Sequence, residues 1–98
     1  MEARKNSKVK KVIALLEKVL NRPEFNPSHI AVFTAILKEF LIQDVKDGFR
    51  ITRGRIMRLA QIRSIATYHH CIKGLVKANL ILYQPSFHPK LGTMVKFL

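Results

Sequence analysis

The sequence predicts a mainly helical α+β domain of the winged helix-turn-helix class, with about four helices and a C-terminal β-hairpin as the wing. First, 98 residues, of which 48% are hydrophobic, suffice for one domain with one modest core. Second, residues 51–83 read in order as a short helix, a tight turn, a longer helix and a strand. Third, no Asp or Glu occurs from Gly48 to Leu98, whereas nine Lys and Arg residues do. The order of elements predicts the fold, and the charge indicates the kind of partner.

The chain is expected to begin with a flexible basic arm over residues 1–7, followed by a single winged-helix domain over residues 8–98. Ser7 is a suitable N-cap for a first helix from about Lys8 to Leu20. The apolar residues of this helix recur at helical spacing: Val9, Val12, Ile13, Leu16, Val19 and Leu20. This stripe predicts that one face of the helix packs on the core while the opposite face stays basic.

The pair Asn26-Pro27 is typical of a helix start, because Asn caps the first turn and Pro is tolerated at the first helical position. The second helix should run from there to about Asp44 or Val45. A wide apolar stripe lies within it: Ile30, Phe33, Ile36, Leu37, Phe40 and Leu41. A stripe of this width predicts the central helix of a small core.

The residues after Gly48 predict the helix-turn-helix itself. Residues 49–51 alternate like a short strand, and Thr52 is a good N-cap for a third helix from Arg53 to Leu59 or Ala60. Residues 61–63 form the turn, and Ser64 then caps a fourth helix over about residues 65–78. The expected inward face of this helix is Ile65, Tyr68, Ile72, Leu75 and Val76.

The end of the chain predicts the wing. Asn79 can close the fourth helix, since Asn tolerates the left-handed conformation. Residues 80–83 read as a strand, residues 85–92 as a loop rich in turn residues, and residues 93–98 as the returning strand.

The formal net charge of +12 favours a polyanionic partner, and double-stranded DNA is the first candidate because its major groove admits a helix. A solubilising charge excess of the ribosomal type is the alternative interpretation. RNA is disfavoured, because the deep, narrow groove of A-form RNA does not admit a helix. A winged helix that docks proteins is disfavoured too, since docking faces are usually less charged at their centre.

The fourth helix is the expected recognition helix, and its outward residues should be Ala66, Thr67, His69, His70, Lys73, Gly74 and Lys77. The DNA-binding candidates on this helix and just before it are Arg63, Ser64, Thr67, His69, His70 and Lys73. Arg63 can make a bidentate contact to guanine, and Thr67 offers a hydroxyl for polar base edges and a methyl group for thymine. For each of these residues, a solvated polar face is the plain alternative.

Phosphate contacts are expected from Arg53, Arg55 and Arg58 on the third helix, which would fix the register on DNA without reading its sequence. On the wing, His88 and Lys90 are expected to reach an adjacent minor groove or phosphate.

No cofactor, metal or small-molecule site is expected, and no enzyme activity. His69 and His70 are adjacent, so they point about 100° apart on a helix and cannot readily bind one ion. Because no acidic residue follows Asp47, a carboxylate-held metal ion for phosphoryl chemistry lacks ligands there. Cys71 is the single cysteine and is expected to pack inside its helix rather than to react. No signal peptide or membrane span is evident, so a cytoplasmic, nucleoid-associated protein is expected.

A family resemblance rests on four segments: FNPSHI at 25–30, ITR at 51–53, RSIATYHHCIK at 63–73 and YQPSFHPKLG at 83–92. Through them, roughly residues 23–98 resemble small winged-helix proteins that are carried on mobile and conjugative elements of Bacteroidetes-type bacteria. The resemblance implies DNA binding through the helix that matches residues 64–77 and the wing that matches residues 84–90. Gly74 departs from the pattern, because such helices often carry a charged residue there.

The resemblance leaves the biological process open. Members of this family are generally labelled transcriptional regulators, which is the expected function. Some small basic proteins of such elements act as excision factors, so an excisionase-like architectural role is the alternative. A homodimer is a further hypothesis, because palindromic DNA sites match two-fold proteins and the first helix with its arm is the free element.

Overall fold

The computed structural model describes residues 2–45, 48–86 and 91–98, with side chains from residue 7 onward. The described residues form four helices and a three-stranded antiparallel sheet. In chain order the elements are α1 (Glu2–Leu20), α2 (Pro27–Gln43), β1 (Phe49–Ile51), α3 (Arg53–Ala60), α4 (Ile65–Lys77), β2 (Ile81–Gln84) and β3 (Thr93–Phe97). The predicted mainly helical α+β fold of the winged-helix type is confirmed.

The sheet has the strand order β1–β3–β2, and both neighbouring pairs are antiparallel. β2 and β3 form the predicted hairpin, with Tyr83 opposite Val95. β1 pairs with the other edge of β3, where Phe49 lies opposite the same Val95. The short strand that precedes the helix-turn-helix therefore ties this motif to the wing.

α2 runs through the centre of the core, as its wide apolar stripe predicted. Phe33 and Phe40 contact Phe97 of β3 at ring-centroid distances of 5.6 and 5.4 Å. Phe40 also contacts Phe49 of β1 at 5.5 Å. Tilted and edge-on aromatic pairs contribute about 0.5–1.5 kcal/mol each beyond the area they bury, so this cluster fixes the sheet on α2. α3 and α4 pack on the same central helix.

Three of the four N-cap residues that the sequence predicted are confirmed, whereas Ser7 lies inside α1. The N-cap side chains of Asn26, Thr52 and Ser64 each accept a hydrogen bond from a backbone amide in the first turn of their helix. The donor–acceptor distances lie between 2.9 and 3.3 Å. Asn79 follows α4 with a φ of 60°, which is the left-handed conformation expected of it.

The first helix starts earlier than predicted. α1 begins at Glu2 rather than near Lys8, so residues 2–7 continue the helix instead of forming a separate arm. The physical reason is that residues 2–7 contain no Pro or Gly that would stop the helix, so Ser7 is accommodated inside it.

The apolar stripe predicted for α1 combines two faces of the helix. Leu15 and Val19 are buried, and α1 packs on α2. Val9, Ile13 and Leu20 are instead 54%, 50% and 60% exposed. The prediction that the whole stripe packs on the core is therefore wrong for these three residues.

The buried face of α4 differs from the prediction at its edges. It consists of Tyr68, Cys71, Ile72 and Leu75. Ile65 and Val76 are 48% and 39% exposed, because they lie roughly 70–90° around the helix from the centre of that face. Cys71 packs in the core as expected, and burial raises the pKa of its thiol.

Candidate nucleic-acid interface

α3 and α4 form the helix-turn-helix and are joined by residues 61–64. Gln61 ends α3 in the left-handed conformation with a φ of 58°. The Ile62 amide then donates to the Met57 carbonyl oxygen at 2.9 Å, which redirects the chain into α4. Because Tyr68 is completely buried on one side of α4, the opposite side of this helix faces solvent.

The outward face of α4 carries exposed residues that are neutral or cationic. These residues are Ala66, His69, His70, Lys73 and Lys77. At about 100° per residue they fall within an arc of roughly 100°, opposite the buried face. The predicted orientation is therefore confirmed for these five residues.

Two DNA-binding candidates at the start of α4, Ser64 and Thr67, make more contacts within the protein than predicted. Ser64 Oγ accepts the Thr67 amide at 3.2 Å and so serves as the N-cap, although its hydroxyl proton can still be donated to another group. Thr67 is only half-exposed, on the side of α4 that also carries Gly74.

The three arginines of α3 are all exposed, but they are not equivalent. Arg53 and Arg58 extend from the helix surface. Arg55 donates its Nε–H to the Glu39 carboxylate, whose side chain is only 7% exposed, while 44% of the Arg55 side chain remains accessible. Arg55 therefore neutralises a buried carboxylate, a structural role that the sequence did not reveal.

Arg58 and Arg63 meet at the turn of the helix-turn-helix. A shallow surface depression between α3 and the turn is lined by Gly54, Met57, Arg58, Gln61, Ile62 and Arg63. The structure thus brings together one residue predicted to bind phosphate and one predicted to read bases.

A second groove lies between α4 and the start of the wing. It is lined by His69, Ile72, Lys73, Val76, Lys77, Tyr83 and Pro85. Its walls are largely apolar, and its rim carries two lysines. The Tyr83 hydroxyl lies 3.0 Å from the hydroxyl of the buried Tyr68, so β2 is hydrogen-bonded to α4 below this groove. The predicted wing contacts His88 and Lys90 lie outside the described residues.

The sequence did not predict the role of His29 beside α4. Its ring packs edge-on against His70 with a centroid distance of 5.3 Å. A Cβ atom added to Gly74 would lie 2.8 Å from Nε2 of His29, so Gly74 faces α2. The prediction that Gly74 faces solvent is therefore wrong. Burial lowers the pKa of His29, and the neighbouring His70 lowers it further. The sequence signal that could have revealed this role is the spacing, because His29 follows the N-cap residue Asn26 by three positions.

The segment from Gly48 to Leu98 contains no Asp or Glu, and its positive charge is not confined to one face. Arg50 and Lys96 are exposed on the sheet face that is turned away from the core. The acidic residues with described side chains are Glu17, Glu24, Glu39 and Asp44, all of which precede β1. α3, α4 and the sheet therefore contribute cationic side chains without a carboxylate of their own.

Within the described residues, no group of three or more His, Cys, Asp or Glu side chains is placed to hold a metal ion. Among the helices of that part of the chain, none is both long and apolar enough to cross a membrane. No protein-family model matches the chain, and neither a curated protein nor a solved structure matches it.

Proposed function

We propose that the protein binds double-stranded DNA with a preference for particular sequences and acts as a transcriptional regulator. The observation that carries this proposal is the outward face of α4, an exposed arc of Ala, His and Lys residues beside the arginines of α3. The major groove of B-DNA is about 12 Å wide and admits one α-helix with its side chains. In that position, the cations of α3 and α4 would lie near the phosphates on both walls of the groove.

Base reading falls to the first two turns of α4, because the N-terminal residues of a recognition helix contact the base edges. His69 and His70 can each donate or accept a hydrogen bond there. Arg63, just before the helix, has the donor geometry for a bidentate contact to guanine. Thr67 is half-buried, so it would contact a base only with the exposed edge of its side chain.

Phosphate binding falls to Arg53, Arg58 and Lys73, whose side chains are exposed on either side of the turn. Such contacts position a protein on the duplex without reading its sequence. Each neutralised phosphate releases condensed counterions, so the affinity should fall steeply as the salt concentration rises.

The first experiment titrates the full chain with duplexes of unrelated sequence at several salt concentrations. Arg58→Ala should weaken binding to all duplexes alike and should lower the salt slope by about one unit. Lys18→Ala is the matched control, because it removes one exposed positive charge from α1 and should leave binding nearly unchanged. Absence of binding at low salt, or binding that salt does not weaken, would contradict the proposal. Tighter binding to A-form duplex RNA would assign the surface to RNA.

The second experiment selects bound sequences from random duplexes. The double variant Thr67→Ala/His70→Ala should select a broader or different set of sites than the unmodified chain. If it selects the same sites with equal discrimination, α4 is not the reading helix. Arg55→Ala is unsuited to either experiment, because it would leave the buried Glu39 carboxylate without its cation and destabilise the fold.

An architectural factor for excision of a mobile element would use the same surface, and the resemblance to proteins of such elements supports this alternative. The two processes differ in what happens to the DNA, since an architectural factor bends its site. Gel mobility of duplexes that carry the selected site at different positions measures this bend. In either process, binding to bulk DNA would place the protein at the nucleoid.

A further inference from the structure

α1 carries a second apolar stripe that does not belong to the core. This outer stripe is formed by Val9, Ile13, Leu16 and Leu20, which follow one another at spacings of four, three and four residues. Three of the four side chains are 50–60% exposed, and Leu16 is half-buried. Alternating spacings of three and four are typical of a helix that packs along another helix.

The outer stripe continues onto the end of α2. Leu41 in the last turn of α2 is 43% exposed. A shallow depression with apolar walls is lined by Lys8, Val9, Val12, Ile13 and Leu41 and joins the two helices. A contiguous apolar surface of this kind marks an interaction site more often than single exposed apolar residues do.

The charges beside the outer stripe identify its occupant. Lys10 and Glu17 are exposed, lie seven residues apart and flank the stripe on the same side of α1. An antiparallel second α1 would place Ile13 opposite Leu16 and Val9 opposite Leu20 of the other copy. In that register Lys10 lies beside the other copy's Glu17, and the two-fold axis repeats the pair. In a parallel two-fold arrangement the Lys10–Glu17 edges of the two copies would lie on opposite sides of the interface and would form no such pair.

We propose that the protein forms a two-fold dimer through antiparallel packing of two α1 helices. The outer stripe with Leu41 forms its apolar centre, and the two Lys10–Glu17 pairs form its edge. A two-fold interface of this kind uses the same surface on both copies, which matches the self-complementary charges. Repulsion between two chains of charge +12 opposes the dimer, and α1 itself contains six Lys and Arg residues but only two Glu residues, so the apolar centre has to provide most of the affinity.

The dimer surface and the candidate DNA surface do not overlap. His70 of α4 contacts His29 in the first turn of α2, whereas Leu41 lies in its last turn. From His29 to Leu41, α2 rises about 18 Å. Both surfaces can therefore be occupied at the same time, and the dimer can be tested without DNA.

Sedimentation equilibrium of the full chain over a wide concentration range should show a reversible dimer. Ile13→Ser should abolish it, and the circular dichroism spectrum should be unchanged because Ile13 is half-exposed in the monomer. Lys10→Glu and Glu17→Lys should each weaken dimerisation on the order of tenfold, because both symmetry-related pairs become repulsive. The double variant Lys10→Glu/Glu17→Lys should restore it. Lys18→Glu makes the same charge change outside the stripe and should not weaken the dimer.

A chain that stays monomeric at every concentration would overturn the proposal. A dimer that survives Ile13→Ser would place the interface elsewhere on the molecule. A dimer that Ile13→Ser abolishes, but that the double charge variant does not restore, would overturn the antiparallel register.

Discussion

At the residue scale, Gly74 lies where α4 packs tightly against the His29 side chain of α2. A Cβ atom there would lie 2.8 Å from Nε2 and 3.0 Å from Cδ2 of His29. The His29 ring cannot easily retreat, because it is buried and stacks on Phe25 at a centroid distance of 4.9 Å. Gly normally costs a helix about 1 kcal/mol relative to Ala, so its presence in α4 is explained by this contact.

We therefore expect Gly74→Ala to destabilise the protein by about 1 kcal/mol, because overpacking outweighs the gain in helix propensity. Gly54→Ala in α3 is the matched control, since an added Cβ there meets nothing within 4 Å. It should stabilise the protein by about 0.5–1 kcal/mol. Urea unfolding of both variants measures the two changes. An increase in stability for both would mean that the His29 ring yields to the added methyl group.

His29 should make the stability of the fold depend on pH. It occupies the third position of α2, where the Asn26 amide donates to Nδ1 at 3.2 Å. Asn26 Oδ1 already accepts two amide hydrogen bonds, so the imidazole is best used as a neutral acceptor. Burial lowers the pKa of His29 below its ordinary value of about 6.5, and the unfolded chain therefore takes up the proton first as the pH falls.

The stabilisation linked to His29 should be complete above about pH 6.5 and should be lost as the pH falls from there through the lower pKa of the folded state. Thermal unfolding between about pH 8 and pH 5 measures this loss. His29→Gln should lose less stability over the same range, because Gln completes the same capping arrangement without titrating. Equal pH profiles of the two proteins would show that His29 contributes nothing.

At the scale of elements, the sequence predicted the helix boundaries that are set by interactions between residues at most three positions apart in the chain. Asn26, Thr52 and Ser64 each cap a helix whose amides follow directly in the chain. Asn79 closes α4 by its own backbone preference. The start of α1 was missed because no residue there forces a helix to begin.

Contacts between elements were not predictable in the same way. Glu39 lies inside the apolar stripe of α2 and is buried because Arg55, sixteen residues later, reaches it. The pattern of α2 alone cannot show this. Likewise, the helical period of the sequence predicted the outward face of α4. Gly74 was assigned to that face wrongly, because its surroundings depend on how closely α2 packs against α4.

The link between α4 and the wing should be measurable as a coupling between two hydroxyl groups. Tyr68 is completely buried, burial raises the pKa of its hydroxyl, and that hydroxyl lies 3.0 Å from the one on Tyr83. Tyr83→Phe should destabilise the protein by about 1–2 kcal/mol, because it leaves the Tyr68 hydroxyl without its partner. Tyr68→Phe should cost less, since the half-exposed Tyr83 can bind water.

A double-mutant cycle with Tyr68→Phe, Tyr83→Phe and the combined variant isolates the hydrogen bond. We expect a coupling of about 1 kcal/mol in the free energy of unfolding. Additive losses would show that the two hydroxyls do not depend on each other and that the wing is held by apolar packing alone.

At the scale of the whole molecule, the charge of the chain was read from the sequence, but its placement was not. The net charge is +12, and the carboxylate-free segment covers α3, α4 and the sheet. Arg50 and Lys96 nevertheless lie on the outer face of the sheet, because strand alternation turns them away from the core. Exposed cationic side chains therefore lie on the sheet as well as on α3 and α4.

Such a chain should be destabilised by its own charge when no polyanion is bound. We expect the unfolding temperature of the free protein to rise between about 0.02 M and about 0.5 M NaCl, because salt screens the repulsion. Salt also weakens ion pairs, such as Lys8–Asp44, Arg22–Glu24 and Arg55–Glu39. The first two pairs are exposed and contribute little, and the partly buried Arg55–Glu39 pair is screened less by salt, so screening of the repulsion should dominate.

A variant with less charge provides the control for this last prediction. Lys18→Glu/Lys77→Glu changes two exposed lysines and lowers the formal net charge by four, from +12 to +8. Its unfolding temperature should rise less with salt, and it should exceed that of the unmodified chain most clearly at low salt. Dilute protein keeps association from contributing to the measured stability. An unfolding temperature that falls with salt, or an equal rise in both proteins, would show that specific ion pairs or general salt effects outweigh the repulsion.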